Sequence, residues 1–226
     1  MQRGDFVYIS YVGRIKESGE IFDITSEEIA KREGIYNPDA RYGDVPVIIG
    51  AGFVIPGLEE ALEKMNVGEK RIIEIPPEKA FGERKDELIR LIPEAEFKKQ
   101  NVDVRVGDFV SINGIAGRVL SINAGRVRVD FNHPLAGKTL VYEVEIKKQI
   151  VDIKEKIYAI LKYFSNMDEK IASVKVDDGK VEIEAKGLQI ASRVKESIVR
   201  TIFQWINEVK MVKFSEVYEK DEKPKS

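Results

Sequence analysis

From Gly4 to Ile15 the chain alternates, with Phe6, Tyr8, Ser10 and Val12 on one parity and Val7, Ile9 and Tyr11 on the other. A two-residue period predicts a strand, and Gly13 closes the run. Glu17-Ser-Gly-Glu20 reads as a hairpin turn, after which Ile21-Phe22-Asp23 opens the next strand. Ser26, followed by Glu27 and Glu28 and stopped by Gly34, predicts a short capped helix. The residues from Asn37 to Asp44 are loop. Val45 to Ile49 is an apolar strand that breaks at Gly50-Ala-Gly52, and Pro56-Gly57 starts a short helix. Leu58, Ala61, Leu62 and Met65 follow at helical spacing. By spacing alone this is an ordinary strand-turn-helix in a core. It also puts the floor and one wall of an apolar pocket in one piece of chain, with the amides of Phe53, Val54 and Ile55 at the helix start.

The pattern changes after Pro77, which ends a strand running from Glu69 to Pro76. Between Arg84 and Phe131, three short alternating runs (Val106 to Ile112, Arg118 to Ile122, Arg126 to Phe131) predict a small β-domain. Ahead of them, Leu88, Ile89, Leu91, Ile92 and Phe97 are candidates for exposed apolar edges. Val141 to Ile146 is a last strand. Asp152 to Phe164 has the period of an amphipathic helix, and a hairpin turns at Asp177-Asp-Gly179. A long helix then carries apolar residues from Leu188 to Val209. Met211 to Tyr218 adds a strand, and the chain ends in a charged tail.

Composition narrows the chemistry. The chain has no cysteine, which excludes disulfides, thiol catalysis and thiolate metal sites. Its one histidine, His133, reads as a structural turn residue and leaves no histidine-rich metal site, so neither metal nor cofactor is expected. A net charge of -2, with no biased half, supplies no basic field toward nucleic acid or membrane. Met1 leads straight into a strand without an apolar leader, so a soluble, cytoplasmic protein is expected.

Several segments resemble FKBP-type peptidyl-prolyl cis-trans isomerases. Val54-Ile55-Pro56-Gly57-Leu58-Glu59-Glu60-Ala61-Leu62 matches the family's flap-to-helix pattern. Tyr11-Val12-Gly13 and Phe22-Asp23 match its first pocket strands, and Ala80-Phe81-Gly82 stands where relatives carry Ala-Tyr-Gly. The inserted β-domain, bounded by that triplet and by Asn132-His-Pro-Leu-Ala-Gly137, resembles the insert-in-flap domain of SlyD-like members. The long segment from Ser26 to Asp44 is similar to the long archaeal type.

The resemblance implies an α+β fold: an FKBP-like antiparallel half-barrel sheet around a short helix, an inserted small β-domain and a C-terminal αββαβ domain. The implied boundaries are 1–83 plus 132–151 for the isomerase domain, 84–131 for the insert, 152–219 for the C-terminal domain and 220–226 for a flexible tail. It further implies that Tyr11, Asp23, the Ile55 amide and Phe81 serve catalysis, and that Phe22, Val45, Val47, Val54, Leu58, Leu135 and Tyr142 line the substrate pocket. Leu58 stands where small eukaryotic members carry Trp, and Phe81 lacks the hydroxyl of the family's tyrosine.

The expected function is X-Pro isomerisation in unfolded, proline-containing polypeptides held by the insert, with a homodimer through the C-terminal domain as a further expectation. Two alternatives compete. One is a holdase with little isomerase activity. The other is nucleic-acid binding through the insert, where Gly117-Arg-Val-Leu and Arg126-Val-Arg128 look like small translation-factor barrels but Asp103, Asp108 and Asp130 dilute the charge.

Overall fold

The computed structural model describes residues 1–99 and 101–218; the tail expected at 220–226, and residue 219 at the expected domain end, lie outside the described residues. In chain order, the first elements are β1 (Phe6–Ile15), β2 (Ile21–Ile24), α1 (Glu27–Arg32), β3 (Val45–Ile48), α2 (Pro56–Leu62) and β4 (Lys70–Ile75). Then come β5 (Ile89–Pro93), α3 (Glu94–Lys99), β6 (Phe109–Ile112), β7 (Ile115–Asn123) and β8 (Arg126–Asp130). The chain finishes with β9 (Leu140–Ile150), α4 (Ile153–Ser165), β10 (Ala172–Asp177), β11 (Lys180–Lys186), α5 (Ser192–Trp205) and β12 (Met211–Val217). Two compact units result. Among the described residues, the first holds Met1–Arg14, Ile21–Ile73 and 141–218; the second holds Ile15–Glu20 and Glu74–Leu140.

In the first unit, the main sheet runs β2-β1-β9-β4, with β3 also paired to β1. β3 places Val47 opposite Val7 and Val45 opposite Ile9, while Ile48 faces Phe6 and Pro46 faces Tyr8. Strand periodicity therefore sends Val7, Ile9, Val45 and Val47 to one face and Phe6, Tyr8, Pro46 and Ile48 to the other. Neither face is left to water, since Phe6, Val7, Ile9, Val47 and Ile48 are each at most 1% exposed. A strand apolar on both parities is what two-sided coverage requires.

The cover on the Phe6–Ile48 face is α4. Asp152 caps it by accepting the Glu155 amide at 2.9 Å, and Asn166 closes it in the left-handed region at φ 55°. Ile157, Ile160 and Leu161 pack with Phe6, Ile48 and Ile150 in one core. The same core takes in Val174, Val181 and Ile183 from the small sheet β10-β11-β12, and Ile198 and Ile202 from α5. β12 lies parallel to β11, a pairing that demands a crossover, and α5 supplies it. α5 is shorter than the apolar run predicted. Ile190 precedes it and Ile206 and Val209 follow it, all buried, because loop residues contribute to the same core.

The second unit contains an antiparallel sheet in the order β5-β8-β7-β6. It has four strands where three were expected, because Ile89–Pro93 pairs with β8. Phe97, Val104, Val110, Val119, Val127 and Val129 form its core. Of the apolar residues expected at exposed edges, Phe97 is instead 4% exposed and Ile92 packs on that core, since α3 turns its apolar side onto the valines. Leu91 stays open at 61%, joined by Phe109 at 69%. Cross-strand register sets Leu91 beside Arg128 and Phe109 beside Arg118. The base of the sheet is pinned: Arg84 bonds Asp130 at 2.6 Å, and Asn132 both accepts from the Lys85 amide and donates to the Lys85 carbonyl.

Candidate active site

In the first unit, the site begins with an irregularity in the β1–β2 ladder. Gly13 pairs with Asp23 and Arg14 pairs with Ile21, so Phe22 is an extra residue in a bulge. In a regular strand Phe22 and Asp23 would point to opposite faces; a bulge re-aims one of them. Both accordingly reach the same aromatic group. The Tyr11 hydroxyl donates to Asp23 Oδ2 at 2.9 Å. Tyr142 on β9 meets Tyr11 edge-on at 5.6 Å between ring centroids and meets Phe22 at 5.7 Å. Gly13 makes this approach feasible, because a Cβ there would lie 2.8 Å from Phe22 Cζ and 3.2 Å from Tyr142 Cε1.

Burial shapes the electrostatics. Loss of water, and then the charge of Asp23 and its hydrogen bond, hold the Tyr11 phenol well above its ordinary value, with smaller contributions from Tyr142 and Tyr163. Burial likewise pushes the Tyr142 phenol up, with Asp23 adding to it. Asp23 stands at the solvent-facing rim, yet desolvation of its carboxyl raises its pKa above the usual carboxylate value. Hydrogen bonds from Tyr11 and the Ile24 amide oppose that rise without cancelling it. Both phenols are neutral at physiological pH.

The remaining first-unit candidates sit on the adjoining segments. Val45 and Val47 share the face of β1 that carries Val7 and Ile9, with Val47 buried and Val45 half-buried. Val54 and Ile55 lead into α2, Ile55 in extended conformation just before Pro56, and Leu58 on α2 is 1% exposed. Within α2 the first donors are already used: Pro56 has no amide hydrogen, and the amides of Leu58 and Glu59 both donate to the Ile55 carbonyl, at 3.0 and 3.1 Å. Glu59 sets the turn before them: its Oε1 accepts the amides of Gly50 at 2.9 Å and Gly52 at 3.1 Å. Glu59 stands in the family pattern, but its role needs the folded turn to be seen.

Phe81 and Leu135 belong to the second unit, where His133 links them. Its ring stacks on Phe81 at 4.2 Å with an interplanar angle of 2°, and its Nδ1 accepts the Leu135 amide at 3.2 Å. That bond assigns Nδ1 as the unprotonated nitrogen. His133 thus orients the Phe81 ring, a role that the reading as a turn residue did not include.

Comparison with known proteins bears on both units. Residues 90–135 match a family model described as the FKBP26 IF domain. A short-type peptidyl-prolyl cis-trans isomerase of Methanocaldococcus jannaschii is 35% identical over 147 residues, covering 65% of this chain and 92% of that protein. A probable FKBP-type 16 kDa isomerase of Pseudomonas fluorescens is 35% identical over 143 residues, covering 60% and 91%. The SlyD isomerase of Treponema pallidum is 38% identical over 109 residues, covering 46% and 61%. With relatives matched over nine-tenths of their length, the chain belongs to the family of FKBP-type peptidyl-prolyl cis-trans isomerases.

Proposed function

We propose that the Tyr11–Asp23–Phe22–Tyr142 group, with Val45, Val47, Val54, Leu58 and the Ile55 amide, binds an X-Pro segment and eases rotation of its amide, and that Phe81 and Leu135 of the second unit also serve turnover. The observation that carries this reading is the bulge that turns Phe22 and Asp23 onto one cluster with Tyr11. The reaction needs no nucleophile and no proton transfer. Rotation is slow because it breaks amide resonance, with a barrier of about 18–20 kcal/mol. The planar amide is more polar than the twisted one, so apolar walls weaken the ground state more than the transition state. Taking an amide from water without a full set of partners costs about 1–3 kcal/mol, enough for roughly ten- to a hundredfold acceleration. The Ile55 amide holds the substrate carbonyl, the Tyr11 ring, its hydroxyl committed to Asp23, serves as an aromatic wall, and further acceleration comes from contacts made only to the twisted form.

The second unit supports a holding role for unfolded chain. Leu91 and Phe109 expose apolar surface beside arginines, and a weak second contact raises the local concentration of prolines at the pocket. Self-association through the C-terminal segment belongs to the same reading, supported by Phe203 on α5, which is 46% exposed; a monomer mass that is constant with concentration rules it out.

The test is cis-to-trans conversion of an X-Pro tetrapeptide by the wild type and by Tyr11→Ala, Asp23→Ala and Phe81→Ala variants. Turnover by the wild type, reduced in each variant, is the expected result, and normal turnover by Asp23→Ala removes Asp23 from the mechanism. Absence of turnover in the wild type, with aggregation of a client still suppressed, replaces the isomerase with a holdase.

A further inference from the structure

Helix α4 does more than cover the back of the sheet: at its C-terminal end it reaches the turn that precedes α2. The Lys162 ammonium donates to the Asp44 carbonyl at 2.8 Å, at the start of β3. One residue on, the Tyr163 ring stacks on Phe53 with centroids 3.9 Å apart and planes 22° apart, and its hydroxyl donates to the Phe53 carbonyl at 3.3 Å. Phe164 meets the Phe53 ring edge-on at 6.0 Å. Phe53 directly precedes Val54 and Ile55, the segment proposed above to bind substrate.

Two tyrosines on the same helix behave differently. Tyr158 is tied into its own sheet, donating to the Ala172 carbonyl and accepting from the Val174 amide. Its role is structural. Tyr163 remains 40% exposed although its ring rests on another aromatic. Its one hydroxyl bond is long and readily exchanged for a ligand group. A half-open aromatic pair directly joined to the Val54-Ile55 segment is a ligand surface of the kind that pockets use.

We propose that Tyr163 and Phe53 form an aromatic subsite of the isomerase pocket that takes the side chain flanking the substrate proline, so that α4 sets the sequence preference of the enzyme. The proposal rests on the isomerase reading of the Tyr11–Asp23 pocket. A residue next to proline is displaced by about 3.3–3.6 Å along an extended chain, a distance comparable with the width of one ring. The ligand class is an extended peptide with an aromatic or large apolar residue beside proline. The contact is stacking and edge-to-face packing, so it strengthens binding in ground and transition states alike and its effect falls on KM.

The full-length wild type, Tyr163→Ala and Tyr163→Phe are compared on four X-Pro tetrapeptides carrying Phe or Ala on either side of proline. In the wild type, one Phe-flanked peptide has the higher kcat/KM. In Tyr163→Ala the ratio of Phe-flanked to Ala-flanked kcat/KM falls by about two- to tenfold through KM. Tyr163→Phe, which keeps the ring, preserves the ratio. Tyr163→Leu, which keeps apolar cover on Phe53 without a flat face, lowers it as alanine does and replaces the alanine variant if that unfolds. Equal loss on all four peptides, or an unchanged ratio, overturns the subsite and leaves the isomerase reading standing. No turnover by the wild type overturns both.

Discussion

The two units build their sheets to opposite ends. In the first, β1 and β3 are covered on both faces, with Phe6 and Ile48 under α4 and Val7, Ile9 and Val47 buried on the other side. In the second, one face of the four-stranded sheet holds a valine core while the other leaves Leu91 and Phe109 in water. Double coverage fixes side chains in place, which suits a pocket that must hold an amide at one orientation. An uncovered apolar face leaves surface that unfolded chain can use. In the function proposed above, the first unit would serve precision and the second capture.

Breaking the cover gives the largest effect. Ile160 is fully buried between α4 and the sheet, so Ile160→Ala should cost about 2–5 kcal/mol in denaturant unfolding. A loss below about 1 kcal/mol would mean that α4 packs loosely and that double coverage does not hold the pocket. Next is the close approach at Gly13. Gly13→Val forces a side chain against Phe22 and Tyr142, and tetrapeptide turnover should fall by roughly tenfold or more, equivalent to about 1.4 kcal/mol of lost transition-state stabilisation. Unchanged turnover would detach Phe22 from the site.

A smaller effect comes from Asp23. Its pKa is raised by desolvation, so its contribution to stability is present below the ordinary carboxylate range and is lost as pH rises through its folded value. At neutral pH the ionised side chain is therefore a mild liability. Asp23→Asn should raise Tm near pH 7 by an amount that shrinks as pH falls, while lowering turnover. Wild-type turnover should itself drop on acidification through the raised pKa. A variant less stable than wild type at neutral pH would refute the sign of the shift. The smallest effect on stability belongs to the open face: Leu91→Ser with Phe109→Ser should shift unfolding by about 0.5 kcal/mol or less. Tetrapeptide turnover should hold while proline-limited refolding of a whole protein slows. Equal slowing of both substrates would remove the division of labour between the units.

Much of the architecture was readable along the chain. Strand periodicity located β1, an unbroken apolar run located β3, the Ser26 cap located α1, and Pro56-Gly57 located α2. These signals are local, because period, caps and turn residues act within a few positions. The site candidates came from motifs rather than periodicity, since Tyr-x-Gly and Phe-Asp are unremarkable as patterns of polarity. The extent of α5 and the burial of Phe97 were not readable: an apolar residue in a loop and one on a helix look alike in sequence when both serve the same core.

What the sequence determined by itself was most of the elements, the absence of thiol chemistry and the identity of the aromatic and acidic residues proposed for the site. Only the tertiary structure decided how they meet. The bulge that brings Phe22 and Asp23 to one side, the Glu59 anchor across the Gly50–Gly52 turn, and the Tyr163 ring on Phe53 all join residues through backbone geometry or across 110 positions of chain. Such contacts depend on the packing of whole elements against one another, and no local pattern encodes them.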